Sequence, residues 1–202
     1  MNKKEAQSKK AYDKKAYNYE NTADGKFTES FKAELIRKVI LKENYKVLDV
    51  ACGTGDLLIG LGKKCPIYAT GIDISEKMIE VAKAKNTGMD FRVSNCVPLD
   101  FEDSTYDVIT VSAAFHHFAH PAEFAREAFR VLKSKGRIYI AEVYTPAVIR
   151  PIFNIVVIPL IRAGDVKIYS QDELQRIFQQ AGFINVNIEI RGNIQFLQGE
   201  KA

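Results

Sequence analysis

Apolar residues recur along the chain in two alternating rhythms. Short, nearly continuous apolar runs at Val47–Val50, Tyr68–Ser75, Tyr106–Ser112 and Gly136–Val143 have the length and composition of buried parallel strands, and Asp90–Ser94 adds a shorter one. Between them the spacing changes to that of helices: Leu57, Leu58 and Leu61 after Asp56, then Glu76–Lys85, then a helix opened by Pro121. Strand followed by helix, repeated, predicts an α/β domain with a parallel sheet. The chain begins with a polar helix from about Ser8 to Glu20, carrying tyrosines at 12, 17 and 19. A second helix is expected after Thr28, with Phe31, Leu35, Ile36, Val39 and Ile40 on its apolar side. It ends in two β-rich runs, Asn185–Ile190 and Asn193–Gln198, a hairpin that places an antiparallel strand in the sheet.

Local punctuation supports these limits. Asn86-Thr87-Gly88 is a turn cluster, the lysines and Gly136 in the stretch 132–136 end the Pro121 helix, and Ser170 with Glu173 forms a capping box that opens a helix from Gln171 to Ala181. Between Pro146 and Arg162 lies an apolar insertion with three prolines, expected to form a broken helix. It is read either as a cover over a pocket mouth or as a surface helix against the sheet or a second subunit.

The most informative stretch is VLDVACGTGD, Val47 to Asp56. An apolar strand stops at a loop in which Gly53 and Gly55 allow backbone angles and close approach that a side chain would forbid, and Asp56 starts the next helix. Leu58 stands where a dinucleotide fingerprint needs its third glycine, and Asp49 and Asp56 would repel a pyrophosphate. A ligand that is cationic at this end fits better. Asp73 lies about 20 residues beyond the loop, where a doubly wound fold presents a carboxylate able to accept both hydroxyls of a ribose. It could instead cap the following helix, a role for which Ser75 is also suited.

Asp49-x-Ala51-x-Gly53-x-Gly55 resembles the first motif of the class I S-adenosylmethionine (SAM) dependent methyltransferases. The resemblance implies a doubly wound, mostly parallel seven-stranded sheet with helices on both faces and the closing antiparallel hairpin. It also implies a single domain, 1–202, whose N-terminal helices, 1–45, cover the cofactor pocket, with the insertion at 146–168 near the acceptor site. Asp49, Ala51, Gly53, Thr54 and Gly55 would hold the cofactor at the loop, and Asp73 its ribose. Ile74 would pack on the adenine. Asn95 would meet the adenine amino group with its side chain and Cys96 a ring nitrogen with its backbone; a plain Asx turn at Asn95 is the alternative. Ser112 completes the implied contacts, and Tyr19 either touches the ligand or packs on the sheet edge. Thr54-Gly55-Asp56 and the tail Gly192–Gly199 are similar to the quinone-biosynthesis C-methyltransferases. The chain departs from these in having Phe115-His116-His117 in place of an Arg-Asn pair after the fourth strand.

Methyl transfer is an in-line displacement that chiefly requires nucleophile and methyl to be held together in a dry pocket. His116 and His117, at the carboxyl edge of a central strand, are the candidate general bases, or else line the pocket and hydrogen-bond within it. The expected ligands are SAM, its product S-adenosylhomocysteine and a small, partly apolar methyl acceptor. A non-catalytic SAM-binding module stays open as an alternative.

Composition narrows the remaining classes. With 47% hydrophobic and 27% charged residues in 202, the chain is globular. The net charge of +4 is concentrated in Lys3, Lys4, Lys9, Lys10, Lys14 and Lys15, read as a solvated, partly frayed helix or as a contact for nucleic acid or a membrane surface. No broad basic stripe and no Asn/Asp-Pro-Pro-aromatic or Pro-Cys run point to a nucleic-acid substrate, and protein arginine methylation would need a paired-glutamate loop. Cys52, Cys65 and Cys96 are far apart with no histidine at metal spacing, so no disulfide framework and no metal site are expected. The N-terminus lacks the apolar core of a signal peptide, and the longest apolar run, Pro151–Ile161, is short of the ~20 residues that span a bilayer. A cytoplasmic setting is expected; a homodimer is left open.

Overall fold

In the computed structural model, which describes residues 2–160 and 164–202, seven strands form one sheet. They are β1 (Lys46–Val50), β2 (Tyr68–Asp73), β3 (Asp90–Val93), β4 (Tyr106–Ser112), β5 (Leu132–Val143), β6 (Ile184–Arg191) and β7 (Ile194–Glu200). Their order is β3-β2-β1-β4-β5-β7-β6. The first five are parallel, and β7 runs antiparallel between β5 and β6, as the terminal hairpin predicts. The order reverses between β1 and β4, and beyond the carboxyl ends of those strands an open α/β sheet leaves a crevice for ligands.

Alternation along the strands builds two cores. Leu48, Val50, Ile109, Val111, Ile138 and Ile140 face one side and pack with Phe124, Ala125, Ala128, Leu174 and Phe178 of α5 (Pro121–Val131) and α6 (Gln171–Gln180). Val47, Val108, Tyr139 and Phe196 face the other and meet α2 (Ala23–Lys38), α3 (Asp56–Lys64) and α4 (Glu76–Lys85) through Phe31, Leu35, Leu57, Leu58, Leu61, Ile79 and Ala82. Helices therefore cover both faces of a mostly parallel seven-stranded sheet.

Several local features differ from expectation. The first helix, α1 (Lys3–Lys15), begins earlier than Ser8, and Asn2 and Glu5 close a capping box at its start. It gives way to a 3-10 turn, Ala16–Asn21, that carries Tyr19. The next helix starts not after Thr28 but at Ala23, where the Thr22 side chain accepts from the Gly25 N–H. A Cβ on Gly25 would lie 2.0 Å from the Tyr19 carbonyl oxygen, so glycine lets the turn fold back onto this helix. Val39 caps that helix, and Ile40, beyond it, is exposed. Gly136 does not cap α5, which ends in extended backbone at Leu132; the left-handed residue here is Lys135, in the first part of β5.

The insertion forms consecutive helical turns, Arg150–Ile152, a π-turn at Phe153–Val157 and Ile158–Leu160. Val148, Ile155 and Leu160 are 86%, 74% and 76% exposed, so much of its apolar side faces outward. Ile161 and Arg162, which end the run and the insertion as read from the sequence, lie outside the described residues.

Candidate active site

Three strand ends converge on one cavity. At the end of β1, Ala51 (φ 59) and Gly53 (φ 54) turn the chain sharply, and at the end of β4, Ala113 (φ 47) does the same. Left-handed alanines are costly, and strain of this kind gathers where backbone must be aimed. Gly55 (φ 80) precedes α3, and a Cβ there would come within 2.7 Å of the Phe91 ring.

The loop is fixed by Asp73. Its carboxylate accepts from the Gly53 N–H at 2.9 Å and from the Ser75 N–H at 2.8 Å, while Ser75 itself caps α4 by accepting from the Met78 N–H. Asp49 pairs in register with Gly71 on β2 and Thr110 on β4, and the Thr110 hydroxyl donates to its Oδ1 at 2.7 Å. Burial raises the Asp49 carboxyl to about 7, with the Thr110 hydrogen bond opposing and the Asp73 charge reinforcing the shift. Burial likewise raises Asp73, against hydrogen bonds from the Ser75, Gly53 and Ile74 backbone. Two desolvated acids together make a place where a cation is favoured.

Asp56 contributes less to that field than its position in the sequence suggests. Lys85 donates to it at 2.7 Å and Lys32 at 3.3 Å, and Lys85 also binds Glu20. Glu20 accepts from the Thr54 hydroxyl at 2.7 Å. Burial resists ionisation of Glu20, but Lys85 and Thr54 prevail and hold its carboxyl at about 2. This network fastens the N-terminal segment onto the glycine loop.

The cavity is about 1060 Å³ counted out through its open mouth, solvent space included. Asp49, Ala51, Gly53, Thr54, Asp73, Ile74, Asn95, Cys96, Ser112 and Tyr19 all line it, as does His117. Gly55 and His116 do not, and none of the described residues of the insertion does. Glu5, Ser8, Tyr12, Thr28 and Lys32 of the N-terminal segment contribute to its wall.

Two features fit a nucleoside ligand such as SAM. The Cβ direction at Gly53 is open, with no atom within 4 Å, and the buried Ser112 hydroxyl lining the cavity has no hydrogen-bond partner among the described residues.

The histidine pair follows β4 on a 3-10 turn, Phe115–His117. His117 Nε2 is 3.1 Å from the Tyr12 hydroxyl. Burial and the neighbouring His116 hold its pKa well below the usual imidazole range. His116 is turned away to Glu142 of β5, Nδ1 to Oε1 at 2.7 Å. Burial alone would lower its pKa, but Glu142 and Asp165 overcome this and raise it. Sequence reading missed Tyr12, Thr110, Glu20, Glu142 and Asp165. Glu142 was the most visible of them, a lone acid within the apolar run of β5.

Comparison with known proteins agrees with this geometry. Residues 48–140 match the model of a methyltransferase domain. The demethylmenaquinone methyltransferase of Lactiplantibacillus plantarum is 30% identical over 186 residues, 79% of this chain and 78% of that protein. The Thermotoga maritima enzyme of the same name is 41% identical over 111 residues, 54% of this chain; the match spans about half of that relative's length. A methyltransferase solved in complex with the Haloferax volcanii Trm112 activator superposes with a TM-score of 0.79 at 19% identity, covering 94% of this chain and 96% of that one. The chain belongs to the class I SAM-dependent methyltransferases. Within that class, the two bacterial relatives carry the name demethylmenaquinone methyltransferase.

Proposed function

We propose that the protein transfers the methyl group of SAM to a small, partly apolar acceptor and releases S-adenosylhomocysteine. The observation that carries this reading is the convergence of Asp49, Asp73 and Asn95, from three successive strand ends, on one cavity beside the glycine loop. SAM supplies an electrophilic methyl on a sulfonium, so no covalent enzyme intermediate is needed.

The chain's own residues bind, orient and exclude water. Asp49 offers its carboxylate to the ammonium, and the acceptor positions left on Asp73 suit ribose hydroxyls. Asn95, the Cys96 backbone and Ile74 receive the adenine, and Ser112 and Tyr19 close the site. Thr54 contributes through its bond to Glu20, which holds the loop under the N-terminal cover, and Gly55 by letting α3 pass close to Phe91. His117, paired with Tyr12 at the wall, is the side chain placed to hydrogen-bond an acceptor, with His116 behind it.

Calorimetry with SAM, S-adenosylhomocysteine and NADH tests the cofactor assignment: SAM and its product bind and NADH does not. Release of labelled methyl to phenols, quinols and amines tests transfer, and its absence with every acceptor would favour a binding module. The relatives' names favour one acceptor class, a demethylated quinol alkylated at ring carbon, and demethylmenaquinol is the first acceptor to try.

A further inference from the structure

We propose that His116, His117 and Asp165 form a binding site for a divalent first-row transition metal at the wall of the ligand cavity. The three side chains offer ligand atoms that all lie within 4.8 Å of one another. His116 Nε2 is 3.4 Å from Asp165 Oδ1, and His117 Nδ1 is 4.0 Å from the same oxygen. Donors bound to one tetrahedral metal at ~2.0–2.1 Å stand about 3.4 Å apart. One edge already has that length, and the others need a movement of an ångström or so.

The outer contacts orient both rings for this task. A metal-binding histidine commonly gives its second N–H to a carboxylate or other fixed acceptor, which sets its tautomer. His116 Nδ1 meets the fully buried Glu142, whose carboxylate also accepts from the backbone N–H groups of His116 and Val143. With that proton on Nδ1, Nε2 presents its lone pair toward Asp165. His117 Nε2 meets the Tyr12 hydroxyl, so a proton there leaves Nδ1 free on the same side. Both His117 Nδ1 and Asp165 Oδ2 are buried without a hydrogen-bond partner among the described residues. Asp165 is held beside the pair because the Val166 N–H donates to the His116 carbonyl at 2.8 Å.

Two imidazoles and one carboxylate suit zinc, iron(II), cobalt or manganese better than calcium or magnesium. Of the three, His117 alone lines the cavity, so a metal held here would sit behind that wall and fix the His117 ring in it.

The test uses the full chain stripped of metal with a chelator, without SAM, so it reads independently of methyl transfer. Co2+ is titrated while the visible absorption of bound cobalt is followed, and Zn2+ is titrated by calorimetry. One equivalent of each is expected, with binding at least ~10-fold weaker in Asp165→Asn and His117→Gln and roughly 10–100-fold weaker in Glu142→Gln. Circular dichroism confirms that each variant is folded, and the three substitutions, in different segments, check one another. Failure of the wild type to take up Co2+ or Zn2+ at millimolar concentration overturns the proposal, as does equal binding by folded variants.

Discussion

The Thr110 hydroxyl donates to the buried carboxylate of Asp49 across the β1–β4 boundary, at 2.7 Å. That single bond is a small return for placing an acid in the sheet, and burial leaves the Asp49 carboxyl at about 7.

SAM binding should therefore depend on pH. The cationic end of the ligand needs Asp49 ionised, so affinity should fall toward tenfold per unit below pH 7 and fall again once the ligand's own α-ammonium, of ~8, loses its proton. Calorimetry across this range reads the effect, and Asp49→Asn should bind weakly with little slope around pH 7.

Stability should show the opposite cost. An acid whose folded pKa lies above its unfolded value of ~3.9 binds more protons when folded, so the native state loses stability as pH rises from about 4 to 7. In the ligand-free protein Asp49→Asn should be more stable than wild type above pH 7, by roughly 2–4 kcal/mol, and the gap should close toward pH 4. Urea denaturation at two pH values measures it.

Asp73 does two things that substitution can separate. Asp73→Ala removes the loop's acceptor and should weaken SAM binding by roughly 1–3 kcal/mol, the usual cost of leaving buried groups unpaired. Asp73→Asn keeps one carbonyl oxygen for the Gly53 or Ser75 N–H and should lose less. Equal affinity of wild type and a folded Asp73→Ala would place the ribose elsewhere.

The insertion touches the cavity through none of its described residues. Ile155→Glu and Leu160→Glu, at exposed sites, should leave SAM affinity unchanged and stability within ~0.5 kcal/mol. An effect on acceptor KM alone would mark a substrate-facing surface; a parallel loss of SAM affinity would contradict the placement.

Cysteine labelling offers a further check. Burial pushes the Cys96 thiol up to about 12 and Cys52 well above its ordinary value, so both should resist alkylation at neutral pH. Partly exposed Cys65 should react first, and Cys96, which lines the cavity, should slow further with S-adenosylhomocysteine bound.

The parts of this site legible in the sequence were those fixed by chain-local chemistry. Gly53, Asp73 and Asn95 lie at or just past strand ends, and once the strands are recognised the topology carries these residues to one edge. Asp165 could not be found this way: it lies 48 positions after His117, and the backbone bonds of Val166 and Lys167 to His116 help bring it back. Tyr12 was read as part of a polar helix because its partner, His117, is more than a hundred residues away. The second helix starts at Ala23 and not after Thr28, and the missing side chain of Gly25 is what allows the 3-10 turn to pack on its first turn.

The Glu20–Lys85–Asp56 network joins the first segment of the chain to the loop at which SAM is proposed to bind. For a ligand to leave past this segment, the ion pairs and the packing of Ala16 and Tyr19 on Met78 would have to part, while the strands stay paired. Departure of the spent nucleoside should accordingly quicken with ionic strength, and amide exchange in Ala16–Asn21 should keep pace with it, long before the sheet gives up a proton.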